Sequence, residues 1–222
     1  MTRPLALLIA CLLIAGFAAC ADEDEQAATP TPEDTGGEQG TGCAPAPTPE
    51  REVVDVPKPK QRLDPASTYV ATVTTNCGTF EITLDAERAP KTGGAFKALA
   101  DAGFFDGLTF HRIVQDFVVQ GGDPSGDGSG GPGWSIVEPP PSNLTYAKGV
   151  VAMAKKELDP PGTSGSQFFV VTGPKAAQLS PDYALLGRVT AGQEVVDLIG
   201  VAPVAADGKP VEPIVMESVE VN

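Results

Sequence analysis

Two β-rich runs, YVATVTT and TFEITLD, flank Asn76-Cys77-Gly78. Alternating β-branched residues on either side of a short Asn/Gly turn predict a β-hairpin. A lone hairpin is marginal in water, so the chain must supply more strands. It does so with LTFHRIV, DFVVQGG, GVVAMAK, SQFFVVTG and YALLGRV, and VMESVEVN closes the sequence. Only two segments read as helices. RAPKTGGAFKALADAG carries Pro90 in its first turn, Phe96, Leu99 and Ala100 on one face, and Gly103 at its end. GQEVVDLIG is the second. Gly93 and Gly94 inside the first helix read as room for close packing against a sheet. Many short strands with two helices predict a mainly β, antiparallel architecture, sandwich or barrel.

The texture differs before residue 66. Arg3 precedes an apolar run that ends in small residues, the pattern of an export signal. The run is short for a membrane helix. From Ala21 to Glu50 there are eight acids, no Lys or Arg, and many Pro, Thr and Gly. Such a stretch buries too little apolar surface to offset its ordering entropy. The expected organisation is a signal over residues 1–19, an acidic Pro/Thr/Gly-rich disordered tether over 20–65 and a folded domain over 66–222. Of the net charge of −14, Arg3 contributes +1 and the acidic stretch −8. The remainder is −7, from 14 bases and 21 acids. No basic cluster stands out, which argues against a nucleic-acid partner.

The four cysteines fall at 11, 20, 43 and 77. Outside the cytoplasm Cys43 and Cys77 either pair, stapling the tether to the domain, or remain two thiols. Sequence alone leaves both readings open.

With one histidine, conventional chemistry has little to work with. His111 precedes Arg112 in an expected strand, where neighbours point to opposite faces. A Ser-His-Asp arrangement is therefore not expected, and His111 reads as a satisfied structural residue. One His and no close cysteine pair make a poor metal site. Gly126, Gly128 and Gly131 match a G-x-G-x-x-G spacing, but Pro132-Gly133 follows where a helix should begin. What remains is Arg112 and Gln120 among apolar residues. In a regular strand Arg112 shares a face with Phe110 and Val114, and Gln120 with Val118. Fixed polar groups beside apolar ones suit an uncharged small group. The bland alternative is a core arginine paired with an acid such as Asp123.

FHRIVQDFVVQGGD, followed by MAKKELDPPGTSGSQFFV and YALLGRV, resembles the cyclophilin-type peptidyl-prolyl cis-trans isomerases from Tyr69 to about Val221. The resemblance implies a closed eight-stranded antiparallel β-barrel capped by two α-helices. It implies a catalytic Arg112, with Gln120 orienting that arginine and the peptide. Phe117, Val118, Phe169 and Leu179 match the walls of a proline pocket, Tyr183 its rim and Gln167 the adjacent groove. Ala154 and Lys155 match the backbone segment that pairs with substrate main chain. No cofactor and no metal are implied, and the partners are proline-containing peptides and unfolded or exported proteins. A non-catalytic proline-peptide binding module, or a holdase, is the competing reading.

Upstream, FAAC resembles the lipobox of bacterial lipoproteins, with Phe17 where Leu is usual. That implies a lipid on Cys20 and an exported, membrane-anchored protein; plain secretion after cleavage near Ala19 is the alternative. The protein is expected to act as a monomer.

Overall fold

The computed structural model describes residues 42–47 and 54–222. The signal, Cys20 and most of the acidic stretch lie outside them. Among the described residues no helix is long and apolar enough to cross a membrane.

The elements run β1 (Val70–Thr75), β2 (Gly78–Leu84), α1 (Pro90–Asp101), β3 (Phe110–Val114), β4 (Val118–Gly121), β5 (Ile136–Val137), β6 (Val150–Met153), β7 (Thr163–Ser164), β8 (Phe168–Val171), β9 (Leu185–Ala191), α2 (Gln193–Gly200) and β10 (Met216–Val221). Eight of these strands form one antiparallel sheet in the order β10-β1-β2-β9-β6-β8-β4-β3. The edges β10 and β3 meet just outside their ladders. There Phe110 N–H donates to the Ile214 carbonyl and Met216 N–H to the Leu108 carbonyl. The short pair β5–β7 lies apart from the main sheet.

Alternation along the strands builds two separate cores. Ile113, Val119, Val170 and Val151 face the interior with Phe80, Phe96, Phe105 and Phe168. Phe96 stacks on Phe105, and Phe168 meets Phe96, Phe105 and Phe110 edge-on. Each such ring removed from water contributes about 1.5–3 kcal/mol. The residues between them, Val118, Phe169, Val171, Val150 and Ala152, point outward into a second cluster. That outer cluster becomes the floor of the candidate site.

α1 starts at Pro90, whose missing N–H suits the first helical position. Its N-cap Ala89 supplies no side-chain acceptor. The carboxylate of Glu138, remote in sequence, accepts from Lys91 and Thr92 N–H instead, at 3.2 and 2.7 Å. A negative group there also complements the helix dipole. Gly93 and Gly94 face chiefly the upstream chain, and Gly93 also approaches Leu84 at the end of β2. A Cβ on Gly93 would overlap Leu63, and one on Gly94 would meet the backbone of Gln61 and Arg62.

The domain therefore begins before residue 66. The described residues 42–47 and 54–65 belong to the same compact unit as the barrel. Cys43 and Cys77 form a disulfide, and Ala44 N–H donates to the Asn76 carbonyl at 2.7 Å. Val56 and Leu63 are buried in the interior core, and Leu63 N–H donates to the Pro90 carbonyl at 2.9 Å. Residues 42–47 and 54–65 are thus docked chain rather than tether. The acid count set the expected boundary, but acids thin out after Asp34, while two apolar side chains suffice to seat the strap.

Candidate active site

β3 and β4 are joined by a tight turn in which Asp116 adopts φ 59°, a left-handed conformation that Asp tolerates better than most residues. Phe117 follows at once, and its carbonyl accepts from Thr172 N–H at 2.9 Å. Across the sheet, Arg112 pairs with Gln120, Gln120 with Phe169, and Phe169 with Ala152. Those four side chains form one row on the outer face. Val118 and Phe169 are buried beneath it. Phe117, Leu179, Tyr183 and Ala154 are partly buried and pack on the same cluster. The result is an apolar depression with a guanidinium and a carboxamide at one edge.

Phe110 does not belong to this face. The register shifts between Phe110 and Arg112, so β3 carries a bulge there. A bulge inserts one residue and reverses the alternation. Phe110 consequently points inward, 1 % exposed, against Phe80 and Phe168. Its expected place beside the substrate is corrected.

Arg112 is exposed and makes no ion pair or hydrogen bond among the described residues. Asp123 is not its partner. That buried carboxylate instead accepts from the backbone N–H groups of Ser125, Asp127 and Gly128, pinning the glycine-rich loop. Gln120 does not bond Arg112 directly either. Its Nε2 donates to Gln167 Oε1 at 3.0 Å. Gln167 Nε2 in turn donates to the Gly128 and Gly130 carbonyls, both at 2.9 Å. Carbonyls only accept, so they fix which way the Gln167 amide faces. Gln120 must then present its NH2 to Gln167. Its own Oε1 is left as the acceptor next to Arg112.

The expected main-chain segment is half engaged. Ala154 N–H donates to the Gln167 carbonyl at 2.8 Å. The Ala154 carbonyl and the Lys155 N–H have no partner among the described residues. The Lys155 ammonium turns back onto the carbonyls of Lys156, Glu157 and Asp159 and lies 5.8 Å from the Tyr183 ring centroid. Beside it a groove of about 530 Å³ runs between residues 128–135 on one side and 154–156 and 163–167 on the other. A second concavity, about 630 Å³, lies by Asp85, Arg88 and Arg188. Its arginines are already engaged, Arg88 by Asp85 and Arg188 by the Lys148 carbonyl.

Tyr146 was not legible as a site residue. It is fully buried, and its hydroxyl both donates to the Tyr183 carbonyl and accepts from Tyr183 N–H, at 2.7 and 2.9 Å. Its ring, with Phe169 and Tyr183, forms an aromatic trio. Burial raises its phenol to about 12. In PSNLTYAKG no periodicity marks it for burial.

His111, the extra residue of the bulge, is 7 % exposed with neither ring nitrogen hydrogen-bonded. It is structural but not satisfied. Burial holds its imidazole below the ordinary 6.5, with Arg112 acting in the same direction and Asp123 opposing. The ring is therefore neutral near pH 7. The expectation is a flat kcat/KM from about pH 6 to 9. Stability behaves differently. Below 6.5 the unfolded chain protonates His111 and the folded chain resists it. The unfolded state then binds more protons, so folding weakens as pH falls. His111→Phe should gain thermal midpoint relative to the wild type on going from pH 7.5 to 5. A difference that stays constant across that range would show that the buried imidazole does not contribute.

An outward apolar cluster on an antiparallel barrel, edged by an unpaired guanidinium and an oriented amide, is chemically suited to an uncharged group. Among the described residues no group of three or more His, Cys, Asp or Glu side chains is placed to hold a metal ion. Residues 70–221 match the family described as cyclophilin type peptidyl-prolyl cis-trans isomerase/CLD. Peptidyl-prolyl cis-trans isomerase A of Mycobacterium tuberculosis is 35 % identical over 176 residues, 71 % of this chain and 94 % of that protein. Peptidyl-prolyl cis-trans isomerase B of Streptomyces anulatus is 37 % identical, over 71 % of this chain and 98 % of that protein. The crystal structure of a Cryptosporidium parvum cyclophilin type isomerase superposes with a TM-score of 0.65 at 30 % identity, over 70 % of this chain and 98 % of that one. The chain belongs to the cyclophilin-type peptidyl-prolyl cis-trans isomerase family, and it is an enzyme of that class.

Proposed function

We propose that this isomerase acts on exported chains outside the cytoplasm, anchored through lipid on Cys20, with Arg112 as its catalytic residue. The observation that carries the catalytic part is the unpaired Arg112 guanidinium set at the edge of the Phe117/Val118/Phe169/Leu179 depression. A related Cryptosporidium parvum isomerase was crystallised in the presence of the dipeptide Ala-Pro. The apolar cluster of Phe117, Val118, Phe169 and Leu179 offers a prolyl ring an apolar surface here.

An X-Pro amide resists rotation because its C–N bond has double-bond character, with a barrier of about 18–20 kcal/mol. No bond breaks, so catalysis means binding the twisted amide better than either planar form. On twisting, the prolyl nitrogen regains a lone pair. Arg112 donates to it with a planar fork that stays charged at all working pH values. Gln120 Oε1 is the acceptor that holds the guanidinium or a peptide N–H. The Ala154 carbonyl and Lys155 N–H are the main-chain partners left for the peptide. Tyr183 closes the rim over Phe169. Apolar walls exclude water and strengthen the hydrogen bond. A protease-coupled proline-peptide assay on the full chain tests this reading. Binding without turnover would instead favour the binding-module alternative.

The location rests on the FAAC sequence and the acidic stretch after it. The Cys43–Cys77 disulfide supports it, because such bonds persist in oxidising compartments. One acyl chain gives only reversible attachment, so stable anchoring requires more than one. Cys20→Ser is expected to move the protein from the membrane fraction to the soluble fraction with isomerase activity intact. Retention in the membrane would mean that the N-terminal segment itself is the anchor.

A further inference from the structure

The groove beside the proline depression has one side, residues 128–135, in which four of the eight residues are glycine. Such a wall does not hold its own position, and three fasteners hold it. Asp123 ties its start through backbone N–H groups, and Gln167 ties its middle through two carbonyls. The third fastener comes from outside the barrel. Trp134, the sole tryptophan of the chain, packs its ring on the interior core and donates its indole Nε1–H to the Val56 carbonyl at 2.7 Å.

Val56 belongs to the strap over residues 54–63. The strap is itself fixed. Val56 and Leu63 are buried, 7 % and 5 % exposed, and the chain lies directly on the side-chain-free notch at Gly93 and Gly94. Further upstream the Cys43–Cys77 disulfide fastens the chain again. A partly buried indole N–H without its acceptor would be left unsatisfied, so the ring and the wall attached to it would shift.

We propose that the strap is a working part of the isomerase. Through the Val56 carbonyl it seats Trp134, and Trp134 holds the glycine-rich wall where it meets peptide residues flanking the proline. Trp134 is a positioning residue, and the strap sets affinity for extended peptides rather than the rate of rotation. The inference rests on the isomerase reading of the site.

The test uses the full chain, a four-residue proline peptide and a peptide extended by several residues on each side. Trp134→Phe keeps a ring and removes the N–H. It is expected to raise KM for the extended peptide about fivefold or more, with kcat and the short-peptide KM within about twofold of wild type. Val56→Ala, which loosens the strap but keeps the carbonyl, should act in the same direction. Because Trp134 is the only indole, this variant should also shift the emission maximum. Unchanged KM for the extended peptide in both variants would overturn the proposal. So would equal losses on both peptides together with a lowered thermal midpoint, the mark of a merely structural strap. If Trp134→Phe does not fold, titrating wild type with the extended peptide decides, and emission that does not move counts against the proposal. Were the wild type to turn over neither peptide, the isomerase reading would fail, while the same titration still decides the strap's part.

Discussion

Arg112→Ala is expected to lower kcat/KM by two or more orders of magnitude, about 3 kcal/mol of transition-state stabilisation. Arg112 makes no ion pair among the described residues. An exposed side chain with no partner contributes little to folding, and its removal should change stability by less than about 0.5 kcal/mol. The loss should therefore fall on catalysis alone. Ground-state peptide affinity should change far less, because the planar amide nitrogen is a poor acceptor. Arg112→Lys keeps the charge but replaces a planar fork with a hydrated point charge, so most of the loss should persist. Full turnover in a folded Arg112→Ala variant would remove the proposed mechanism.

The barrel was legible because its strands alternate and its turns carry their usual residues. TFEITLD and YVATVTT could not pair otherwise without exposing Phe80, Ile82 and Val73. The site was legible as residue types, since Arg112 and Gln120 are out of place in an apolar strand. Its connections were not. The β3 bulge has no signature in FHRIV, and it sends Phe110 inward and buries the His111 ring without a hydrogen bond to either nitrogen. The partner of Gln120 was hidden for the same kind of reason. Gln167 lies 47 residues away, and only the β4–β8 register brings the two amides together. Long-range geometry also decided the role of Glu138, which caps the start of α1 from 46 and 47 residues away, whereas Asp123 caps N–H groups of its own loop instead of pairing with a cation.

The strap was missed because its burial depends on what it lies against. VVDVPKPKQRLDPAS reads as polar and proline-rich, and its apolar residues, Val53, Val54, Val56 and Leu63, do not continue into a regular helical or strand pattern. Its docking site is written elsewhere, in Gly93 and Gly94, where side chains would block the approach. Glycines inside a helix that cost about 1 kcal/mol each relative to alanine call for such a reason. Here the tightest neighbour is a chain segment from upstream, with Leu84 of β2 also close to Gly93.

A chain that begins at Ala66 should therefore fold less stably than the natural one. The cut removes Val56 and Leu63, each buried to within a few per cent. Burial of one such side chain contributes about 1.5–3 kcal/mol, against which stands the entropy of ordering the strap. The cut also strips the Trp134 indole and the Pro90 carbonyl of their partners and bares the apolar surface under Leu63. A net loss of about 2–3 kcal/mol follows, or roughly 5–10 °C in thermal midpoint for a domain of this size. Leu63→Ala in the full chain isolates the packing part and should cost about 2 kcal/mol, the low end for a buried leucine, because the strap has room to settle. The two losses should not add, since truncation already removes Leu63. Matching midpoints for the full and shortened chains would mean that the strap rests on the domain without stabilising it, and that residues 54–65 are tether after all.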